Sequence, residues 1–115
     1  MYQYSAKIVS AYDGDTFRAD VDLGFHTWIK DAIFRLYGID TPEMRSPTTA
    51  AGVAARDAFR EKVLGKPVMI ATFKDRTEKY GRYLAVIWLD GENVNQWMID
   101  AGYAVPYLLD QAAPG

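Results

Sequence analysis

From Thr16 to Leu23 polar and apolar residues alternate one for one, and this stretch constrains the fold more than any other part of the chain. Successive side chains of a strand point to opposite faces, so Phe17, Ala19, Val21 and Leu23 are expected inside, with Thr16, Arg18, Asp20 and Asp22 in water. A strand with one wet face is the mark of an antiparallel sheet. Tyr4 to Tyr12 alternates well enough for a strand and stops at Asp13-Gly14, a turn signal. After Gly24 and a polar tip at His26-Thr27, the chain returns through Trp28 and Ile29 into a third strand, Ala32 to Ile39.

Residues 47 to 64 follow a different period. Ala51, Ala54, Ala55, Ala58, Phe59 and Val63 recur at three and four, which is helix spacing. Ser46 is the expected N-cap, Pro47 the first helical residue and Gly65 the residue just past the end. Val68 to Phe73 and Tyr83 to Leu89 read as two more strands. Asp90-Gly91-Glu92 forms a turn, and Asn93 caps a short helix through Asp100 that stops at Gly102. The expected fold class is therefore mainly β with α (α+β). It is a five-stranded, partly open Greek-key barrel of the OB type, with a helix between strands 3 and 4 and a short helix after strand 5.

With 115 residues and no repeat or linker, residues 1 to 115 make one domain. Half the residues are apolar, enough for a real core, and the absence of cysteine excludes disulfide scaffolds and thiolate metal sites. The apolar stretches are too short to span a bilayer, so no membrane partner is expected. A net charge of -2 argues against coating duplex DNA by bulk electrostatics, so any nucleic-acid contact must come from a local basic site. Met1 to Ser5 lacks the basic opening and apolar run of a secretory leader. If Met1 is the natural start, the protein is expected to be cytoplasmic.

Charges break the strand pattern at three places. Asp15 shares the parity of Phe17 and Val21, Arg35 lies among apolar neighbours from Ala32 to Ile39, and Arg82 shares the parity of Leu84, Val86 and Trp88. An inward charge left unpaired costs several kcal/mol, so each needs a partner. The plain solution is an internal salt bridge from Asp15 to Arg35 or Arg82. Asp40-Thr41-Pro42-Glu43 offers another. Pro42 pushes Thr41 towards an extended conformation and leaves the Thr41 carbonyl able to face a ligand. Asp15, Asp40 and that carbonyl form an all-oxygen set suited to Ca²⁺ or Mg²⁺ and unsuited to zinc. Alternatively, the segment is an N-terminal capping device for the following helix. The loop from Lys74 to Arg82 is mixed in sign but locally basic. Two arginines and a divalent ion are what a phosphate ester requires, and Glu43 is then left to accept a proton from water or to orient it.

Asp13-Gly14-Asp15-Thr16, Phe34-Arg35-Leu36 running into Asp40-Thr41-Pro42-Glu43, Lys79-Tyr80-Gly81-Arg82-Tyr83-Leu84, and Asn95 through Ala104 together resemble the successive motifs of the staphylococcal nuclease (thermonuclease) family. The match covers roughly residues 5 to 107, in order. The resemblance implies an OB-type barrel that hydrolyses DNA and RNA with Ca²⁺, Mg²⁺ being the lesser candidate, and leaves a 3′-phosphate. By position, Asp15, Asp40 and the Thr41 carbonyl resemble the calcium ligands, and Arg35 and Arg82 the phosphate-clamping arginines. Glu43 resembles the general base or water-orienting group. Lys79 and Tyr80 resemble contacts to the nucleotide phosphate, and Tyr107 an aromatic wall for a base. Single-stranded or unstructured DNA and RNA are the implied substrates.

The chain also departs from that pattern. Its Asp15 to Arg35 hairpin is longer, no lysine-rich loop follows Glu43, and it stops where the family's C-terminal helix would begin. The missing lysines predict weaker substrate binding. An exposed apolar patch around Trp97 and Met98 is expected to seek a second copy, making a homodimer. His26, at a hairpin tip, is not expected to be a base. The competing class is a non-catalytic nucleic-acid-binding or interaction module built on the same barrel.

Overall fold

The structure is a computed structural model that describes residues 2–42, 49–74 and 83–107. Five strands build the barrel: β1 (Tyr2–Ala11), β2 (Thr16–Asp22), β3 (Trp28–Leu36), β5 (Pro67–Lys74) and β6 (Tyr83–Leu89). Two-residue pieces β4 (Ile39–Asp40), β7 (Glu92–Asn93) and β8 (Val105–Pro106) trim its rims, and the helices are α1 (Ala50–Val63) and α2 (Val94–Asp100). The sheet runs β3-β2-β1-β5-β6-β7, and a parallel pairing of Phe34, Arg35 and Leu36 with Tyr83, Leu84 and Ala85 joins β3 to β6. The barrel is thus closed rather than partly open.

The alternation in β2 holds from Phe17 to Val21, whose odd residues are buried, but fails at Leu23, which lies past the strand and is exposed. An extra residue at Val9 shifts the register between Ile8 and Ser10, a bulge of the kind that bends a strand round a barrel. Ala11 is thereby set opposite Phe17 with both buried. β1 begins two residues earlier than the sequence pattern indicates, and β3 four residues earlier, at Trp28. Trp28 to Asp31 escaped the pattern because both faces of that part of the strand are exposed, which leaves no alternation to read.

Helix α1 starts at Ala50 with Thr49 as its N-cap, the hydroxyl oxygen accepting the Gly52 N–H at 3.0 Å, rather than at Pro47 behind Ser46. Ser46 and Pro47 lie outside the described residues. Thr49, and not Asp40 or Thr41, is the residue that caps α1, and Glu43 lies outside the described residues. Gly65 ends the helix as expected, in the left-handed region (φ 75), and its N–H reaches back to the Ile8 carbonyl at 2.8 Å. Ala55, Phe59 and Val63 form the buried stripe, and Phe59 lies against Phe17 with ring centres 5.9 Å apart. Phe17 in turn stacks on Phe34 at 5.4 Å.

Asn93 caps α2 by accepting the Gln96 N–H, as the sequence indicates. Next to it, Asn95 is buried and its amide ties three main-chain groups together. Its oxygen accepts the Ile87 N–H, and its nitrogen donates to the carbonyls of Tyr37 and Ala85, each at 3.0 Å. The expected apolar patch on α2 is not there. Met98 is fully buried, and Trp97 packs beside Tyr103 with the Lys62 ammonium 4.5 Å from its ring. In β6 the barrel interior takes Ala85 and Ile87, whereas Leu84, Val86 and Trp88 belong to the outer row. Arg82, whose parity matches that outer row, lies outside the described residues. No helix among the described residues is long and apolar enough to cross a membrane.

Candidate active site

One rim of the barrel gathers residues from four separate places in the sequence. Asp15 sits in the bend just before β2, and its carbonyl accepts the Leu36 N–H at 2.8 Å, which fastens the bend to the end of β3. Arg35 is the preceding residue of β3. Asp40 lies on β4, which pairs with β8 through Ile39 with Pro106 and Asp40 with Val105. That pairing, continued by the Tyr107 N–H on the Gly38 carbonyl at 2.9 Å, lays the Tyr107 ring over Arg35, 4.8 Å from the guanidinium carbon.

The Arg35 Nη2 donates to Asp40 Oδ1 at 3.0 Å and to Asp15 Oδ2 at 3.4 Å. The Thr41 N–H donates to the same Asp15 oxygen at 3.0 Å. Asp15, Asp40, Thr41, Arg35 and Tyr107 are therefore brought together. Glu43, Lys79, Tyr80 and Arg82 lie outside the described residues.

Asp15 is buried, and its carboxyl is pushed up to about 7 from the ordinary 3.8. Loss of water on burial is the main cause, with the nearby Asp13 carboxylate adding to it, while Arg35 and the Thr41 N–H pull the other way. Asp13 is itself buried and accepts the Asp15 N–H at 3.2 Å. Three carboxylates thus share this rim with one guanidinium among the described residues.

The donor set suits a hard cation. No cluster of three or more His, Cys, Asp or Glu side chains in metal-binding range occurs among the described residues, so two carboxylates would need help from the main chain. The Thr41 carbonyl is the third oxygen that the sequence suggests. Thr41 is buried, and its hydroxyl oxygen finds no hydrogen-bond partner among the described residues, an unspent polar atom beside the acids. The negative surplus, the all-oxygen chemistry and this orphaned hydroxyl all fit Ca²⁺ or Mg²⁺.

Three residues matter here that the sequence pattern did not single out. Asp13 and Gly14 read only as a turn. A Cβ at Gly14 would lie 2.9 Å from Ala55 Cβ, 2.9 Å from Thr41 Oγ1 and 3.0 Å from Thr41 Cγ2, so Gly14 is where the acid turn, the Thr41 segment and α1 meet. Arg60 lies in the last turn of α1. Its guanidinium forks onto the Ala11 carbonyl at 3.0 and 2.8 Å, holding α1 to the end of β1 just ahead of the acid turn. Nothing local in the sequence marks either contact, since Gly14 meets Thr41 and Ala55 from 27 and 41 residues away and Arg60 meets Ala11 from 49.

A closed five-stranded barrel that crowds acids and an arginine onto one rim defines an OB-type protein with a site suited to a cation and a phosphate ester. Residues 33–114 match the model of the family described as staphylococcal nuclease homologue. The chain is 32% identical over 101 residues to a thermonuclease of Staphylococcus hyicus, covering 85% of this chain and 56% of that protein. It is 34% identical over 95 residues to the thermonuclease of Staphylococcus intermedius, 80% of this chain and 53% of that one. The endonuclease YncB of Bacillus subtilis is 34% identical over 98 residues, 82% of this chain and 44% of that protein. The chain belongs to the staphylococcal nuclease family, and it spans about half the length of these relatives.

Proposed function

We propose that the chain is a calcium-dependent phosphodiesterase that cleaves DNA and RNA, favours single-stranded or unstructured substrate and leaves 3′-phosphates. The observation that carries this reading is the meeting of Asp15, Asp40 and Arg35 at a single guanidinium nitrogen, with Thr41 tied to the same carboxylate. Asp15, Asp40 and the Thr41 carbonyl would hold the cation, which when bound supplies positive charge against the phosphoryl oxygens. Arg35 presents a planar fork that matches two non-bridging oxygens, and Tyr107 restrains its swing by stacking on it. Burial of Asp15 excludes water from its carboxyl and strengthens its interaction with Arg35. Arg82 is assigned the second phosphate clamp. Glu43 is assigned the attacking water, which it orients or deprotonates. Lys79 and Tyr80 are assigned to the flanking phosphate.

A second reading has one observation in its favour: Arg35 is already satisfied by Asp15 and Asp40, so the charges can neutralise one another in a binding module that does no chemistry. Digestion of denatured DNA and of RNA with Ca²⁺, Mg²⁺ or chelator, beside Asp40→Asn and Glu43→Gln proteins purified identically, separates the two. The enzyme reading expects cleavage with Ca²⁺ that both substitutions abolish, and end-group analysis showing 3′-phosphates. Equal cleavage by wild type and both variants, or none by any, would rule it out.

A further inference from the structure

Asp13 and Asp15 stand on a short bend, and the side chain that fixes where this bend begins lies outside the acid rim. The chain leaves the β1–β2 ladder between Tyr12, whose N–H donates to the Thr16 carbonyl at 3.1 Å, and Asp15, whose carbonyl accepts the Leu36 N–H at 2.8 Å. Inside the bend the Asp15 N–H is held by the Asp13 carboxylate at 3.2 Å, a bond that travels with the bend and anchors it to nothing. Anchorage from α1 comes at two points. Ala55 lies where a Cβ on Gly14 would come within 2.9 Å, so the helix rests on the middle of the bend. Arg60 donates from Nε and Nη2 to the Ala11 carbonyl at 3.0 and 2.8 Å, at the last residue of β1. Arg60 is half-buried and makes no ion pair among the described residues, so its charge is spent on this one neutral oxygen. Two donors of a rigid fork converging on one acceptor restrain direction as well as distance, which a lone ammonium does not. Committed in this way, the guanidinium is not offered to a phosphate.

We propose that Arg60 is a positioning residue for the cation site. By fixing the Ala11 carbonyl it sets where the Asp13-Gly14-Asp15 bend leaves β1, and so where the Asp15 carboxylate stands relative to Asp40 and Thr41. The inference rests on the calcium reading of this rim and gives that reading a part played from outside it. The geometry leaves little slack. Asp15 Oδ2 receives the Thr41 N–H at 3.0 Å and the Arg35 Nη2 at 3.4 Å, and the same Arg35 nitrogen reaches Asp40 at 3.0 Å. The 3.4 Å contact is already at the outer limit of a hydrogen bond, so a small drift of the bend parts Asp15 from Arg35 before anything else. Charge and position make opposite predictions here. Removing a cation from the neighbourhood of the Asp13, Asp15 and Asp40 carboxylates should by charge alone ease the entry of Ca²⁺. Releasing the bend should do the reverse, because a ligand whose support is lost no longer meets the ion in the geometry it needs.

Two measurements on the full chain test the proposal without any cleavage assay: calorimetric titration with CaCl₂, and amide hydrogen exchange in chelator. The variants are Arg60→Met, which keeps the apolar stem and loses the fork, Arg60→Lys, which keeps the charge and one donor, and Val63→Ala. Val63 is fully buried in α1, so its truncation loosens the helix while the fork stays in place. Arg60→Met should bind Ca²⁺ about 10- to 100-fold more weakly than wild type, and Arg60→Lys should recover part of the loss. Val63→Ala should lower the melting temperature and leave the Ca²⁺ affinity of the folded protein unchanged. In chelator the Leu36 and Thr41 amides, both held by Asp15, should exchange about tenfold faster in Arg60→Met than in Val63→Ala. Unchanged or tighter Ca²⁺ binding by Arg60→Met would overturn the assignment, and so would an equal loss in Val63→Ala, which would reduce the fork to a structural clip. A wild type that takes up no Ca²⁺ would remove the calcium reading of the rim. The two amides would then decide by themselves whether Arg60 sets Asp15, and equal exchange in both variants would refute it.

Discussion

Gly14→Ala adds one methyl group at the junction of the acid turn, Thr41 and α1, and its effect can be worked from three contacts. The new carbon would stand 2.9 Å from Ala55 Cβ, 2.9 Å from Thr41 Oγ1 and 3.0 Å from Thr41 Cγ2, against the roughly 3.5 to 4.0 Å at which carbon atoms rest. None of these neighbours is the free end of a long side chain. Ala55 moves only with the helix, which Phe59 and the Arg60 fork pin to the barrel, and Thr41 is tied through its N–H to Asp15. Gly14 does not have the positive φ of the other turn glycines, so the substitution probes space and not backbone preference. Overpacking of this kind costs about 1 to 3 kcal/mol. For a domain of this size that is a fall in Tm of about 4 to 12 °C, at roughly 4 °C per kcal/mol. Thermal melts in chelator read the fall directly, and melts with Ca²⁺ read whether the displaced Thr41 still supports a metal-dependent shift. Ala55→Gly in the same chain relieves one contact, and the double-mutant cycle should show a coupling above about 0.5 kcal/mol. A Gly14→Ala protein that melts within a degree of wild type, or additive behaviour in the cycle, would refute the packing argument.

Arg35→Lys keeps the charge but loses the fork, and turnover on denatured DNA should drop by about 10² to 10³. Retained turnover in a steady-state assay would remove the bidentate role. Asn95→Ala deprives the Ile87 N–H of its acceptor and the Tyr37 and Ala85 carbonyls of a donor, so urea unfolding should show a loss of about 3 kcal/mol. An unchanged midpoint would mean that those groups find other partners at no cost. Between pH about 4 and about 7 in chelator, the folded chain keeps a proton on Asp15 that the unfolded chain has released, so this group's contribution to stability falls as pH rises through that window. Asp15→Asn should flatten the slope of stability against pH there, and an identical slope in the variant would show that the buried carboxyl is not its source.

Local pattern carried most of the secondary structure because the periods of strand and helix are written in short windows. The alternation in β2, the Ala55, Phe59 and Val63 stripe, the Asn93 cap and the Gly65 stop are each decided by residues within a turn or two of one another. Asp15 was legible as a charge on the apolar side of a strand, and it is buried. Where both faces of a strand meet water, as from Trp28 to Asp31, there was no alternation to detect. Where a strand's two faces are both apolar, as in β6, parity could not say which faced inward.

Residue types and their spacing alone determined the class of fold and marked Asp15, Arg35, Asp40 and Thr41 as candidates. Only the tertiary structure decided that Arg35 bridges Asp15 and Asp40, that Tyr107 covers it, that Gly14 has no room for a side chain, and that Arg60 holds the turn from the far side of α1. The division has a physical cause. Propensity and pattern act over a few residues, whereas these contacts exist only once barrel closure, bulge position and helix docking have brought distant segments within a few ångströms.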